Sequence, residues 1–207
     1  MTHDFDQDYW DRHWHQAHAD TSPPGENPYV RGETSSLAPS TALDAGCGTG
    51  AEAIWLASRG WEVTAVDIAA EALARAAERA ASSGVAGRVR WVEADLTSWS
   101  PGRRFELVMT HYAHPAMPQL AFYDRIADWV APGGTLLIVG HLHASGADEH
   151  GHEPPAEASV TLTDITAGLH RTGWEIVTAE SHDRMVTTPD GRAVPLHDVV
   201  VRAIRRT

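Results

Sequence analysis

The chain has 207 residues, 43% of them hydrophobic, and a formal net charge of -12. All 16 basic residues are arginine, which excludes chemistry that needs a lysine amine, such as Schiff-base formation, and so acidic a chain is a poor match for DNA, RNA or an anionic membrane. A single cysteine excludes an internal disulfide or a multi-cysteine metal site; with apolar runs far short of the ~20 residues that cross a bilayer, one cytoplasmic domain is expected.

Residues 1–20 are rich in Asp, His and aromatics, and Tyr9, Trp10, His13 and Trp14 fall at helical spacing. A short helix is predicted, its aromatic face either packing on the core or closing over a ligand. Residues 21–39, with Pro23-Pro24-Gly25 and Asn27-Pro28, read as a loop. The first strand then runs into Leu43-Asp44-Ala45-Gly46-Cys47-Gly48-Thr49-Gly50, an acid and three glycines where a buried strand must turn into a helix. Side chains at the three glycines would block the close approach of a nucleotide-like ligand and exclude positive φ. Cys47 reads as a small residue that fits a crowded turn.

After a short apolar helix ending at Arg59-Gly60, a β-branched run closes on Asp67, which can hold ribose hydroxyls or cap the next helix. That helix carries the stripe Leu73, Ala76, Ala77 and Ala80 and stops at Ser82-Ser83-Gly84. A third strand over 89–93 leads into Ala94-Asp95-Leu96, and a fourth over 105–111 ends in Thr110-His111-Tyr112-Ala113-His114-Pro115. Tyr123, Ile126, Ala127 and Val130 form another helical stripe. Pro132-Gly133-Gly134 is predicted to turn the chain into a fifth strand over 134–141, ending in His141. Residues 144–159 read as loop, and a short helix runs from Thr163-Asp164 to Thr172-Gly173. The last two strands, over 174–182 and 197–205, are joined too briefly for a crossover helix and should be antiparallel. Strands alternating with helices indicate an α/β fold, a parallel sheet covered on both faces.

The segments Leu43 to Gly50, Val66-Asp67-Ile68, Ala94-Asp95-Leu96 and Ala131-Pro132-Gly133-Gly134 together resemble a class I S-adenosylmethionine-dependent methyltransferase over roughly residues 41–141. The resemblance implies a Rossmann-like three-layer sandwich with a seven-stranded, mostly parallel sheet whose antiparallel last strand lies beside the fifth. Residues 41–207 would form that domain and residues 1–40 an N-terminal cap. S-adenosyl-L-methionine is the implied cofactor. Gly46, Cys47, Gly48 and Gly50 would hold its methionine part, with Asp44 near the amino end; Asp67 would take the ribose and Ile68 would lie on the adenine. Asp95 would bind the adenine amine with Leu96 beside it, and Thr110 would border the donor from the fourth strand.

Methyl transfer from a sulfonium is an in-line displacement, so positioning and exclusion of water supply much of the catalysis. A hydroxyl acceptor also needs a base, for which His111 and His114 are the candidates. The fourth-strand end lacks the Asp/Asn-Pro-Pro-Tyr pattern of enzymes that methylate amino groups of nucleic acids or glutamine. A small-molecule acceptor is therefore expected, attacking through O, N or S/Se, with Trp10, Trp14, Tyr112 and His141 around it as in thiopurine-type enzymes. His111, His114, His141 and His143, with His150, His152 and Asp148 or Glu149, could converge on a metal, but no compact ligand motif is present and none is expected. Two alternatives stay open: a nicotinamide dinucleotide oxidoreductase, because Gly46-x-Gly48-x-x-Ala51 fits that fingerprint as well, and a cofactor-binding regulatory module without turnover. A monomer or homodimer is expected.

Overall fold

The computed structural model describes residues 7–16, 27–142, 160–171, 173–187 and 193–207. Seven strands form one sheet in the order β3-β2-β1-β4-β5-β7-β6. They are β1 (Thr41–Ala45), β2 (Glu62–Asp67), β3 (Val89–Glu93), β4 (Phe105–His111), β5 (Val130–Leu142), β6 (Trp174–Thr187) and β7 (Ala193–Arg205). The first five are mutually parallel, and β7 is antiparallel to both β5 and β6, the arrangement expected from the short last connection.

Successive residues of the central strands enter opposite cores. Val108, Leu136 and Ile138 pack with Phe122 and Ile126 of α5 (Gln119–Ala127) and Ile165 and Leu169 of α6 (Leu162–Arg171). Leu107, Met109, Leu137 and Val139 pack on the other face with Val30 of α2 (Pro28–Thr34), Leu56 of α3 (Ala51–Ser58) and Leu73 of α4 (Ala70–Ser82). Near-continuous apolar strands are what a sheet covered on both faces requires. The expected three-layer sandwich is thereby built.

Four local expectations differ. The helix α2 stands inside the stretch read as loop: Asn27 Oδ1 accepts the Tyr29 N–H and Pro28 takes the first helical position, a start signal that the prolines around it obscured. Pro132-Gly133-Gly134 lies within β5, where the β4–β5 register shifts between Phe105/Val130 and Leu107/Thr135; Gly133 has φ 77°, so the three residues form a bulge in the strand. Val130 opens β5 instead of ending α5, because the helix closes at Asp128. The β6–β7 hairpin is longer than expected, pairing as far as Thr187 with Ala193. As for α6, its start is fixed by Thr161, whose hydroxyl accepts the Asp164 N–H while the Asp164 carboxylate accepts from Thr161, a reciprocal cap.

Gly50 shows why the glycine turn tolerates so little. Its φ is +74°, and a Cβ there would sit 2.5 Å from the Trp91 ring and 3.0 Å from the Ala76 methyl. The space that a side chain would need is thus already filled by Trp91 of β3 and Ala76 of α4. Gly50→Ala combines left-handed strain with overpacking and should lower stability by about 2–4 kcal/mol in urea unfolding. A loss below about 0.5 kcal/mol, the scale of ordinary surface changes, would overturn this account.

Candidate active site

The chain runs outward from β1 through β2 to β3 and then returns to β4 on the other side of β1. A crevice opens at the carboxyl ends of strands where the winding reverses in this way. Here it is a cavity of about 610 Å³, bordered by the glycine turn after β1, Asp67 and Ile68 after β2, Ala94 and Leu96 after β3, and residues 111–114 after β4.

The glycine turn is held from below. The N–H groups of Gly46 and Cys47 both donate to the Val66 carbonyl, and the Gly48 N–H donates to Asp67 Oδ2 at 2.7 Å. The other Asp67 oxygen accepts the Ala69 N–H at 3.0 Å, at the start of α4. Burial pushes the Asp67 carboxyl up, and the N–H groups of Ala69, Gly48 and Ile68 oppose that rise. From α4, Arg79 donates to the Thr49 carbonyl and hydroxyl.

Asp44 lies under the turn, 1% exposed, and among the described residues neither carboxylate oxygen has a hydrogen-bond partner. Burial drives its pKa well above the ordinary carboxylate value, and the charges of Glu52 and Asp67 push it further; the Ala53 backbone N–H opposes the rise without reaching hydrogen-bond geometry. His111 Nδ1 is 3.9 Å from Asp44 Oδ1, with its side chain 6% exposed and Nε2 without a partner. Burial lowers the His111 pKa, so the ring is neutral at neutral pH and able to accept a proton. Cys47 also borders the cavity, but burial first, then the charges of Asp44 and Asp67, raise its thiol pKa strongly. It is a packed thiol and no nucleophile.

Tyr112 follows His111 with φ +52°, the one non-glycine residue of positive φ among those described, a conformation that costs of order 1–3 kcal/mol. Beyond it, Gln119 Nε2 donates to the Ala113 carbonyl, which turns Gln119 Oε1 toward His114 Nδ1 at 3.3 Å. An amide oxygen only accepts, so this contact calls for a proton on His114 Nδ1.

The helix α1 (Gln7–Gln16) covers the turn. Arg75 of α4 donates to the Trp14 carbonyl at 2.9 Å, and the Trp14 ring lies so close to Gly48 that a Cβ there would be 2.9 Å from it. Trp10 and Trp14 both border the cavity. Of the remaining sequence-predicted residues, Gly50 packs as described and Thr110 is buried, donating to the Ala45 carbonyl. Asp95 is exposed, its oxygens accepting the Thr97 N–H and hydroxyl; none of these three borders the cavity. His141 pairs with Asp198 in the β5–β7 register, while its side chain, together with His143, Asp148, Glu149, His150 and His152, lies outside the described residues. Among the described residues no three His, Cys, Asp or Glu side chains gather as a metal site, and no helix is long and apolar enough to cross a membrane.

The model of the methyltransferase domain family matches residues 42–134. Over those residues the chain is similar to methyltransferases. An uncharacterised methyltransferase of Mycobacterium tuberculosis is 40% identical over 99 residues, 47% of this chain and 48% of its own. Thiocyanate methyltransferase 1 of Brassica oleracea is 27% identical over 164 residues, 77% of this chain and 70% of its own. Among solved structures, a methyltransferase of Thiobacillus denitrificans in complex with S-adenosyl-L-homocysteine superposes with TM-score 0.69 at 16% identity, over 92% of this chain and 96% of its own. The chain spans about half the length, or less, of the first curated relatives it matches.

The cavity also draws on residues that sequence patterns did not single out. Glu52, in the first turn of α3, faces the cavity and accepts the Asn27 N–H, while Asn27, Pro28, Ala113 and Arg184 complete the wall.

Asp44 makes a pH prediction. Its folded-state pKa is raised, so its contribution to stability is present below the ordinary carboxylate value of ~4 and lost as pH rises through the raised one. The isosteric Asp44→Asn should therefore be less pH-sensitive than wild type without ligand, and at pH 8 more stable by about 1–3 kcal/mol. Calorimetric Tm values across pH 4 to ~8 check this; parallel curves for the two proteins would contradict it.

Proposed function

We propose that the protein transfers a methyl group from S-adenosyl-L-methionine to a small molecule. One observation carries the reading. Glu52 and Asp67 border the cavity, and Asp44, buried beneath the glycine turn, feels the charge of both with its two oxygens unsatisfied among the described residues. Such a site favours a ligand with positive charge, as the ammonium and sulfonium of this donor provide. It also disfavours the nicotinamide dinucleotide alternative, because a pyrophosphate would seek the N-terminus of α3 and meet Glu52 and Asp44 there.

The donor supplies a methyl activated on a sulfonium. Asp67 would hold the ribose, Ile68, Ala94 and Leu96 would enclose the adenine, and Asp44 would meet the ammonium. Asp95, its carboxylate already engaged by Thr97, would reach the adenine amine only with its remaining lone pairs; Thr110 would act indirectly by fixing the end of β4. Residues 1–40 would serve as the cap, with Trp10 and Trp14 excluding water from the reacting atoms. A cavity of about 610 Å³ is of small-molecule size. The likeness to a thiocyanate methyltransferase over 77% of the chain favours sulfur among the possible attacking atoms. The reading includes a cytoplasmic protein, monomeric or homodimeric.

Isothermal titration with S-adenosyl-L-homocysteine should give micromolar binding, and Asp67→Ala should weaken it by about 1.5–3 kcal/mol. Binding of a nicotinamide dinucleotide with no response to either methionine derivative would replace this reading by an oxidoreductase.

For a hydroxyl acceptor, His111 is the preferred base, neutral and facing the cavity, with His114 as the second. His111→Ala should reduce kcat by about 10²–10⁴ with donor-product affinity nearly unchanged. Because the His111 pKa is lowered, wild-type activity should persist below the pH at which an ordinary histidine protonates. An unaltered kcat for His111→Ala would transfer the role to His114 or remove base catalysis.

A further inference from the structure

We propose that Arg184 is the recognition residue for an anionic group on the acceptor, an inference that rests on the methyltransferase reading of this cavity. Arg184 lies on the part of β6 beyond the last β5–β7 pair, Leu142 with His197, so the long hairpin carries it back over the strand ends to the cavity wall. Among the described residues bordering the cavity it is the only permanent cation.

Its setting is built. Nε donates to Asp198 Oδ2 at 2.6 Å, and Asp198 is 0% exposed. The same Asp198 oxygen accepts the Tyr29 hydroxyl at 3.0 Å, and Tyr29 stays a protonated phenol because burial and Asp198 push its pKa to about 12. On its other side the guanidinium places Nη2 3.4 Å from the Tyr112 hydroxyl oxygen, over the ring of the residue held at positive φ. Four segments distant in sequence, α2, the end of β4, β6 and β7, thus converge to fix one guanidinium.

Neither contact uses Nη1, and 34% of the side chain remains exposed. A planar fork immobilised at Nε keeps its outer donors aimed in one direction, the geometry that a carboxylate or another small anion requires. The ion partner of Arg184 is Asp198, not Glu52 or Asp67, the two carboxylates that border the cavity. Opposite charges are therefore segregated along one cavity, carboxylates toward the cationic donor and a guanidinium toward the acceptor. An anionic acceptor seated at Arg184 would be ordered in the space beside His111 and Tyr112, next to the region where an in-line nucleophile must stand.

The test uses the full chain saturated with S-adenosyl-L-homocysteine and three anionic probes, benzoate, thiocyanate and iodide, with benzamide as the neutral counterpart of benzoate. At least one anion should bind in titration, benzamide should not, and Arg184→Gln should weaken the anion at least about tenfold while donor-product affinity holds. Since Arg184→Gln leaves Asp198 buried without its ion partner, the double variant Arg184→Met with Asp198→Asn removes both charges and should lose the anion equally. Arg184→Lys should restore part of the binding. The proposal fails if no probe anion binds the loaded wild type, if benzamide binds as well as benzoate, or if folded variants keep anion affinity, in which case Arg184 only braces the hairpin. Absence of homocysteine-adduct binding would instead remove the methyltransferase reading, and the anion-versus-amide comparison on the ligand-free chain would then decide the Arg184 site.

Discussion

A buried carboxylate that bridges two backbone N–H groups organises the carboxyl edge of this sheet. Asp67 accepts from Gly48 through one oxygen and from Ala69 through the other, tying the turn after β1 to the first residues of α4. Without that bridge the turn would rest on the bonds from Gly46 and Cys47 to Val66, its internal bond from the Gly50 N–H to the Cys47 carbonyl and the clasp of Arg79 on Thr49. The bridge also fixes where Asp67 itself sits, so the same contact that shapes the loop aims the carboxylate along the cavity. Charge-assisted bonds of this kind are among the stronger polar contacts, yet the Asp67 pKa is still raised, so burial costs more than the N–H groups return.

That imbalance extends through the site. Asp44 is buried without a partner among the described residues, His111 is buried with its pKa lowered, and Tyr112 holds a backbone conformation that side chains rarely adopt. Each of these is destabilising by itself, and together they weigh on a fold whose net stability is typically only ~5–15 kcal/mol. They persist because the two apolar layers on either side of β1, β4 and β5 determine the strand ends independently of them. Unsatisfied polar groups concentrated at one edge of an otherwise well-packed sheet are what a preorganised binding site looks like before its ligand supplies the missing partners.

The cavity walls come from chain segments that the sheet alone would not bring together. The helix α2 is fastened to the far edge by Glu33, which accepts from Thr178 and pairs with Arg202, and its Tyr29 reaches Asp198. The helix α1 is fastened to α4 through Arg75 and Trp14. The half of the cavity near the glycine turn thus depends on β1, β2 and α4, whereas the half near Arg184 adds to the Arg184–Asp198 pair within the hairpin two contacts between residues more than 70 positions apart.

Local sequence patterns determined the sheet: apolar runs of strand length, the glycine turn, acids at strand ends and a last connection too short for a helix each have a short-range physical cause. They identified Asp67 and its neighbours for the same reason, since a strand-end carboxylate beside a glycine turn can be read within a few residues. Other features depended on distance. Asn27-Pro28 is a helix start that reads equally as a loop until Glu52 and Tyr112 are beside it. Nothing near Arg184 in the sequence marks it, because its position depends on how far the β6–β7 hairpin pairs beyond β5. The burial of Asp44, the contact of His114 with Gln119 and the packing that Gly50 makes possible were likewise decided by tertiary structure, since burial and close approach exist only once remote segments have closed around them.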